Sequence, residues 1–343
     1  MCAGGHEHAF VPTSMMRAAT YARNGPARDV LAIQDLPIPV PGPGEVRVRI
    51  ATSGVNPSDT RRRGADPVGG PAEFPLVVPH SDGAGTIDAV GSGIDARRIG
   101  KRVWTFNAQF GRPFGTAAEY CVIPDELAVH LPDAIDFASG ACIGIPALTA
   151  YHAVMLDGTV AGQTILVQGG AGAVGHYAVQ FAKLGGATVI ATVSSDAKAA
   201  HARAAGADHV VNYRTGDLPQ RLRELTGGRG IKRIIEVDFS ANAKTYHAIL
   251  ADSAKVIVYG SGGNVTVPSF VRLQTGFQFF NAYRIAVDVR RRNVAAVSAL
   301  LARGVLQHAV GRRFPLDRIV EAHEAVEQGT VLGNVVVEIA SGT

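Results

Sequence analysis

Between residues 163 and 259 the sequence alternates short apolar, β-branched runs with stretches that place apolar residues at helical spacing, and few folds tolerate that rhythm. Strand-like residues 164–167 precede helix-like 176–184; Gly185 and Gly186 then lead into a strand over 188–192 and a helix over 196–205. The pattern continues with a strand at 209–212, a helix at 218–225, a strand at 231–237, a helix at 241–250 and a strand at 255–259. Such an alternation predicts an α/β architecture, a doubly wound parallel sheet covered on both faces.

Gly170, Gly172 and Gly175 fall between the first of these strands and the first helix. In that setting the first glycine permits a tight turn, the second lets backbone N–H groups approach a phosphate, and the third allows the helix to pack closely on the strand. The helix N-terminus adds partial positive charge. The layout is that of a dinucleotide pyrophosphate site, so a nicotinamide cofactor is expected. In a chain with 40 glycines the spacing carries weight only because a strand precedes it and a helix follows.

An NAD site places an acidic residue about 20 positions beyond the glycines, on the adenosine ribose. Here that region reads Thr192-Val193-Ser194-Ser195, with Lys198 close behind and Tyr213-Arg214 closing the third strand. Hydroxyls and cations suit a 2'-phosphate that a carboxylate would repel, which favours NADPH over NADH.

The first ~140 residues read differently, as short strands separated by Gly and Pro clusters. Residues 45–50 alternate, with Val46, Val48 and Ile50 on one face and Arg47 and Arg49 on the other. Further runs at 74–78, 85–90 and 120–123 complete a β-rich unit. The tail offers a helix at 293–302, a second at 315–328 and a strand at 334–339 that returns to the first domain. With 343 residues, two domains are expected: 1–138 with 284–343, and 139–283.

A hydrophobic fraction of 47% and a charged fraction of 18% describe an ordinary globular chain, not a disordered one. The net charge of +4 is mild, and the runs Arg61–Arg63 and Arg290–Arg292 read as solvated faces. Nucleic-acid binding is disfavoured, since neither aromatic interleaving nor a recognition module accompanies them. Cys2, Cys121 and Cys142 stand far apart, which indicates neither a disulfide framework nor a cysteine metal site and suits a reducing cytoplasm. Residues 1–14 lack the pattern of a signal peptide and read as a loose extension. The uncharged stretch 137–156 approaches the length of a membrane span, but Gly140, Gly144 and Pro146 interrupt it, and buried core is the expected role.

Several separated motifs stand in a recognisable order: Gly54-Val55-Asn56-Pro57-Ser58-Asp59-Thr60, Pro79-His80-Ser81-Asp82-Gly83-Ala84-Gly85, Gly144-Ile145-Pro146-Ala147-Leu148-Thr149-Ala150-Tyr151, the glycine motif, and Pro315-Leu316 followed by Glu321-Ala322-His323. From about residue 16 to 339 the chain resembles the zinc-independent quinone oxidoreductase and zeta-crystallin branch of the medium-chain dehydrogenase/reductase superfamily. The resemblance implies a GroES-like β-rich domain completed by the tail, a Rossmann domain, and assembly as a homodimer or homotetramer. It also implies Gly172, Ala173 and Val174 at the pyrophosphate, Ser194, Lys198 and Tyr213 at the 2'-phosphate, and Thr149 near the nicotinamide. Ser195 belongs to the same ribose-end segment, while Tyr259, Gly260 and Ser261 would line the cofactor cleft.

In zinc-dependent relatives the catalytic ligands fall at the positions of Asn56, Ser81 and Ile145, none of which supplies a thiolate or an imidazole. His80 lies beside one of them and reads as a structural hydrogen-bonding residue. Alcohol oxidation by a metal-stabilised alkoxide is thereby disfavoured. A quinone, or an alkene conjugated to a carbonyl, is itself electrophilic and accepts hydride once held in line. Asn56 is the candidate polar group facing the substrate, with a plain turn role before Pro57 as the competing reading. Where the family commonly carries a tyrosine, this chain has Arg61, which cannot donate a proton at neutral pH but can attract an anionic substrate. Trp104, Phe106, Phe110 and Phe114 are candidates for an aromatic slot, with core packing as the alternative. The leading expectation is an NADPH-dependent quinone reductase. The alternatives are a reductase of conjugated enones, alkenals or enoyl thioesters, and a cofactor-binding structural or RNA-binding protein of the crystallin kind.

Overall fold

In a computed structural model, which describes residues 14–64, 73–260 and 274–339, the alternating half closes into one parallel sheet of six strands. Their order is His209–Asn212, Thr188–Val193, Thr164–Val167, Ile231–Glu236, Leu250–Val258 and Gly276–Phe279. Thr164–Val167 sits in the middle because its Ile165, Leu166 and Val167 are apolar on both faces and fully buried, the composition of an internal parallel strand. The chain first builds outward from it on one side and then on the other. This reversal leaves a crevice at the carboxyl ends of Thr164–Val167 and Ile231–Glu236, the switch point where parallel sheets hold ligands.

Two expectations change here. The helix expected over 241–250 is a single turn, Phe239–Asn242, followed by the 3-10 segment Ala243–Ala248, and the next strand starts early, at Leu250. The Tyr246 hydroxyl and the Asn242 amide both donate to the Glu236 carboxylate, which ties this segment down at the end of its strand. The edge strand Gly276–Phe279 was not anticipated.

The other half is a seven-stranded mixed sheet ordered Val310–Pro315, Asn334–Glu338, Glu45–Val55, Asp82–Val90, Arg102–Thr105 and Ala128–His130, with Tyr120–Pro124 also paired to Glu45–Val55. Met15–Thr20 and Ala32–Pro37 form a two-stranded ribbon beside it. The tail returns as expected, since Val335–Glu338 pair antiparallel with Val55–Thr52. The fold is thus a GroES-like mixed β unit joined to a six-stranded Rossmann sheet.

The uncharged stretch forms two helices, Phe137–Gly140 and Gly144–Met155, the second buried along most of its length. Pro146 lies in the first turn, where its missing N–H has no partner to lose. Two glycines let these helices rest directly on the β unit. A Cβ at Gly54 would stand 2.3 Å from the Ala141 carbonyl oxygen, and one at Gly144 would stand 2.2 Å from Asp82 Oδ1. Among the described residues no helix is long and apolar enough to cross a membrane.

Candidate active site

The glycine turn after Thr164–Val167 is built by the backbone. Gly169 takes the left-handed conformation, with φ +66°, so the tight turn falls one residue before the first glycine of the spacing. Gly170 serves packing instead: a Cβ there would meet the Ala191 Cβ at 2.7 Å. Gly175 is the most constrained, since its Cβ would lie 2.2 Å from the Gly169 carbonyl oxygen. Gly172 differs. Its Cβ would meet only the Gly169 oxygen, at 3.4 Å, so the space above it is open to a ligand. The helix starts at Ala173, earlier than expected, with Gly172 as an N-cap that offers no side chain. The first-turn N–H groups are therefore left to an anion.

A cleft of about 1270 Å³ runs past this turn between the two sheets. Gly172, Ala173, Val174 and Gly175 line it, as do Ser194, Lys198 and Tyr213, and also Tyr259 and Gly260. Gly170 is not among the lining residues. Neither is Ser195, whose hydroxyl accepts a hydrogen bond from the Lys198 N–H at 3.3 Å and caps the helix Asp196–Ala204. Ser261 lies outside the described residues. Lys198 forms no ion pair among the described residues. Thr149 lines the floor of the cleft, and its buried Oγ1 has no partner among them. An orphaned hydroxyl and an open glycine cradle in one cleft fit a dinucleotide. The opposite wall includes Gly333, whose N–H donates to the Ala171 carbonyl at 3.3 Å.

Asn56 follows the strand Glu45–Val55 and caps the helix Pro57–Arg63, so the turn reading is correct as far as it goes. Its side chain does more. Asn56 Nδ2 donates to Asp82 Oδ2 at 2.7 Å, and the Ile145 N–H donates to the same oxygen at 2.9 Å. A carboxylate oxygen accepts only from a donor, so this pair of bonds fixes which way the amide faces. Asp82 is fully buried, and burial holds its carboxyl well above the usual range. Asp59, which accepts from the Asn56 N–H at 2.8 Å, is pushed up by burial to about 6. Asn56, Ile145 and Arg61 all line the cleft, with Arg61 exposed.

The aromatic slot is not the one expected. Trp104 and Phe106 pack against one another in the core, 5.7 Å apart, and Phe114 faces solvent away from the cleft. Only Phe110 of the four lines it. Its partner is Tyr283, stacked at 5.2 Å and 23°, whose hydroxyl meets Ser58 Oγ at 2.7 Å. Burial raises the Tyr283 pKa, so its phenol stays protonated.

Nor is Arg61–Arg63 a solvated face. Arg63 is fully buried and donates to His323 Nδ1 at 3.3 Å and to the Glu327 carboxylate. Because arginine can only donate, the proton positions that follow are determined. His323 Nε2–H donates to His80 Nε2 at 2.9 Å, His80 Nδ1–H donates to Ser53 Oγ at 2.8 Å, and Ser53 donates to Thr116 Oγ1. Thr116 ends the series on the Asp82 carbonyl. His80, held at φ +79°, is thus a structural hydrogen-bonding residue, with burial depressing its pKa to about 3. Asp82, Tyr283, Arg62 and Arg284 escaped the sequence reading. Asp82 had a signal in its place inside the Pro79–Gly85 motif, and Arg62 in the Arg61–Arg63 run, which in sequence reads as a solvated face.

Residues 42–133 match the family described as "Alcohol dehydrogenase GroES-like domain", and residues 173–302 match "Zinc-binding dehydrogenase". The donors present do not fit the metal in that description: an amide, a hydroxyl and an isoleucine stand at the ligand positions. Among the described residues no three His, Cys, Asp or Glu side chains are grouped to hold an ion. The quinone oxidoreductase of Pongo abelii is 31% identical over 92% of this chain and 95% of its own. A solved NAD-dependent alcohol dehydrogenase superposes with a TM-score of 0.86 at 30% identity, over 95% of this chain and 100% of that one. The mycobacterial protein Rv1454c, solved complexed with NADPH, gives 0.83 at 29% identity, over 94% and 100%. Agreement of this extent makes the chain a member of the medium-chain dehydrogenase/reductase superfamily, related to its quinone oxidoreductases.

Proposed function

We propose that this protein is an NADPH-dependent quinone reductase that works without a metal. The observation that carries the reading is one continuous cleft, lined by Lys198, which has no ion pair among the described residues, by the open Gly172 cradle, by the Asn56 amide and by the Phe110–Tyr283 ring pair. Relatives of comparable identity are described with NAD and with NADPH, so the choice rests on the ribose end. There Ser194 and Lys198 replace the carboxylate that an NAD site would carry.

When bound, a reduced nicotinamide supplies a hydride to an electrophilic carbon. The chain contributes position and polarity. Thr149 offers a hydroxyl without a competing partner among the described residues, and Asn56 offers an amide whose orientation Asp82 fixes. Of these two the Thr149 hydroxyl is the preset donor, since the Asn56 Nδ2 is engaged by Asp82, and a donor aimed at the acceptor's carbonyl stabilises the charge that develops there at no reorganisation cost. Arg61 cannot supply the following proton, which comes from water or from another positioned donor in the cleft.

A steady-state panel of quinones, alkenals and enoyl-CoA esters, each with NADPH and NADH, tests this. The highest kcat/KM is expected for a quinone with NADPH. Inert quinones beside efficient turnover of an alkenal or enoyl thioester would transfer the reading to conjugated-alkene reduction. Tight NADPH binding with every acceptor inert would indicate a binding protein.

A further inference from the structure

We propose that the acceptor carries an anionic group, a carboxylate or a phosphate, which Arg62 and Arg284 hold at the cleft with Arg61 beside them; this rests on the reductase reading above. The two arginine runs of the sequence supply the first observation. Arg290 and Arg291 pair with Glu126, Arg292 pairs with Asp288, and Arg63 pairs with Glu327. Arg61 and Arg62 line the cleft and, like Arg284, have no carboxylate partner among the described residues. Cations from two distant segments therefore share one cleft, whose lining carboxylates among the described residues are Glu73 and Asp238, with the buried Asp59 close to Arg62.

The second observation is that two of these cations are held in place. The Arg62 guanidinium donates to Gln109 Oε1 and lies 5.5 Å from the Tyr283 ring and 5.8 Å from the Phe110 ring. Arg284 lies 6.0 Å from the same Phe110 ring. A guanidinium fixed over aromatic faces has surrendered its rotamer freedom before any ligand arrives, and its remaining N–H groups form the planar fork that suits carboxylate and phosphate. The stacked rings offer a flat wall beside it, which fits a planar conjugated carbonyl with its anionic arm reaching the arginines. During turnover the acceptor gains a hydride and a proton, and the anionic group is left chemically unchanged.

The test uses the full chain with NADPH and a naphthoquinone bearing a propionate arm, its methyl ester and the matching phosphomonoester. The rings react alike, so the comparison isolates the charge. The acid is expected to exceed the ester in kcat/KM by about 10-fold or more at low salt, with the ratio shrinking as salt rises. Arg62→Gln and the exposed Arg284→Gln should each bring the ratio toward one, while Arg62→Lys should keep part of it. A phosphate arm preferred over the carboxylate assigns the site to phosphorylated acceptors, and the reverse assigns it to acids. Equal acid and ester in the wild-type protein, or a ratio that survives both Gln variants, overturns the proposal. Calorimetry with the same compounds separates the two readings: tighter binding of the acid without turnover removes the reductase reading and keeps the anion site, whereas equal binding removes the site.

Discussion

The two walls of the cleft are made of different material. On the Rossmann side the surface offered to a ligand is mostly backbone: a left-handed glycine, a bare N-cap and the free N–H groups of one helix turn. On the opposite side it is side chains drawn from four segments of both units, with Asn56, Phe110, Ile145 and Tyr283 meeting only in three dimensions. A backbone surface tolerates change wherever the turn geometry survives. A side-chain surface depends on the hydrogen bonds behind it.

Single substitutions at the glycine turn bring the largest contrast. Gly175→Ala forces a Cβ to within 2.2 Å of a carbonyl oxygen and should destabilise the chain by ~3 kcal/mol, read as a lowered Tm. Gly172→Ala has room within the protein, so Tm should hold to within about 2 °C while NADPH affinity falls about 100-fold by fluorescence titration. Equal effects of the two on Tm would erase the distinction between packing and cradle glycines.

On the other wall, Asp82→Ala strands the Asn56 amide and the Ile145 N–H without their acceptor. A stability loss of ~2–4 kcal/mol is expected in urea denaturation, with a kcat/KM decrease that adding back the carboxyl group as glutamate fails to repair in so tight a site. Lys198→Glu sharpens the cofactor side: NADPH should weaken by about 10- to 100-fold and NADH by much less, compared by their dissociation constants. Equal losses would count against a 2'-phosphate at Lys198.

A further effect concerns pH. His80, near 6.5 when unfolded and about 3 when folded, adds stability that is complete above pH 6.5 and is lost as pH falls toward 3. His323 is depressed in the same direction. Asp59 has the opposite sign: raised to about 6, its contribution fades as pH rises through 6. Denaturation curves of His80→Gln between pH 6.5 and pH 4 should therefore slope less than those of the wild type, by up to ~1.4 kcal/mol per pH unit.

The same contrast governs what the sequence made legible. Strand runs, helix periods and glycine spacing are local, and they located the parallel sheet, the turn and the lining residues Ser194, Lys198 and Tyr213. The departures on that side were the tight turn at Gly169 rather than Gly170, the cap made by Ser195, the helix expected over 241–250 and the edge strand Gly276–Phe279. Asn56 was found through its motif, but its dependence on Asp82 was not, because a pairing across 26 positions leaves no periodic trace. The aromatic slot failed for a similar reason. Trp104 and Phe106 are close in sequence to Phe110, yet the left-handed turn at Asn107 parts them, and the true partner stands at Tyr283.

The contact between Gly333 and Ala171 has its own consequence. It fastens the glycine turn to the entrance of the final strand, Asn334–Glu338, which pairs into the distant sheet. A ligand that stiffens the turn should quieten that strand too, because this amide joins the other bonds that link the two lobes, such as Ile145 N–H to Asp82 and Tyr177 to His308. Slower deuterium uptake at residues 334–338 is where that quietening would be seen.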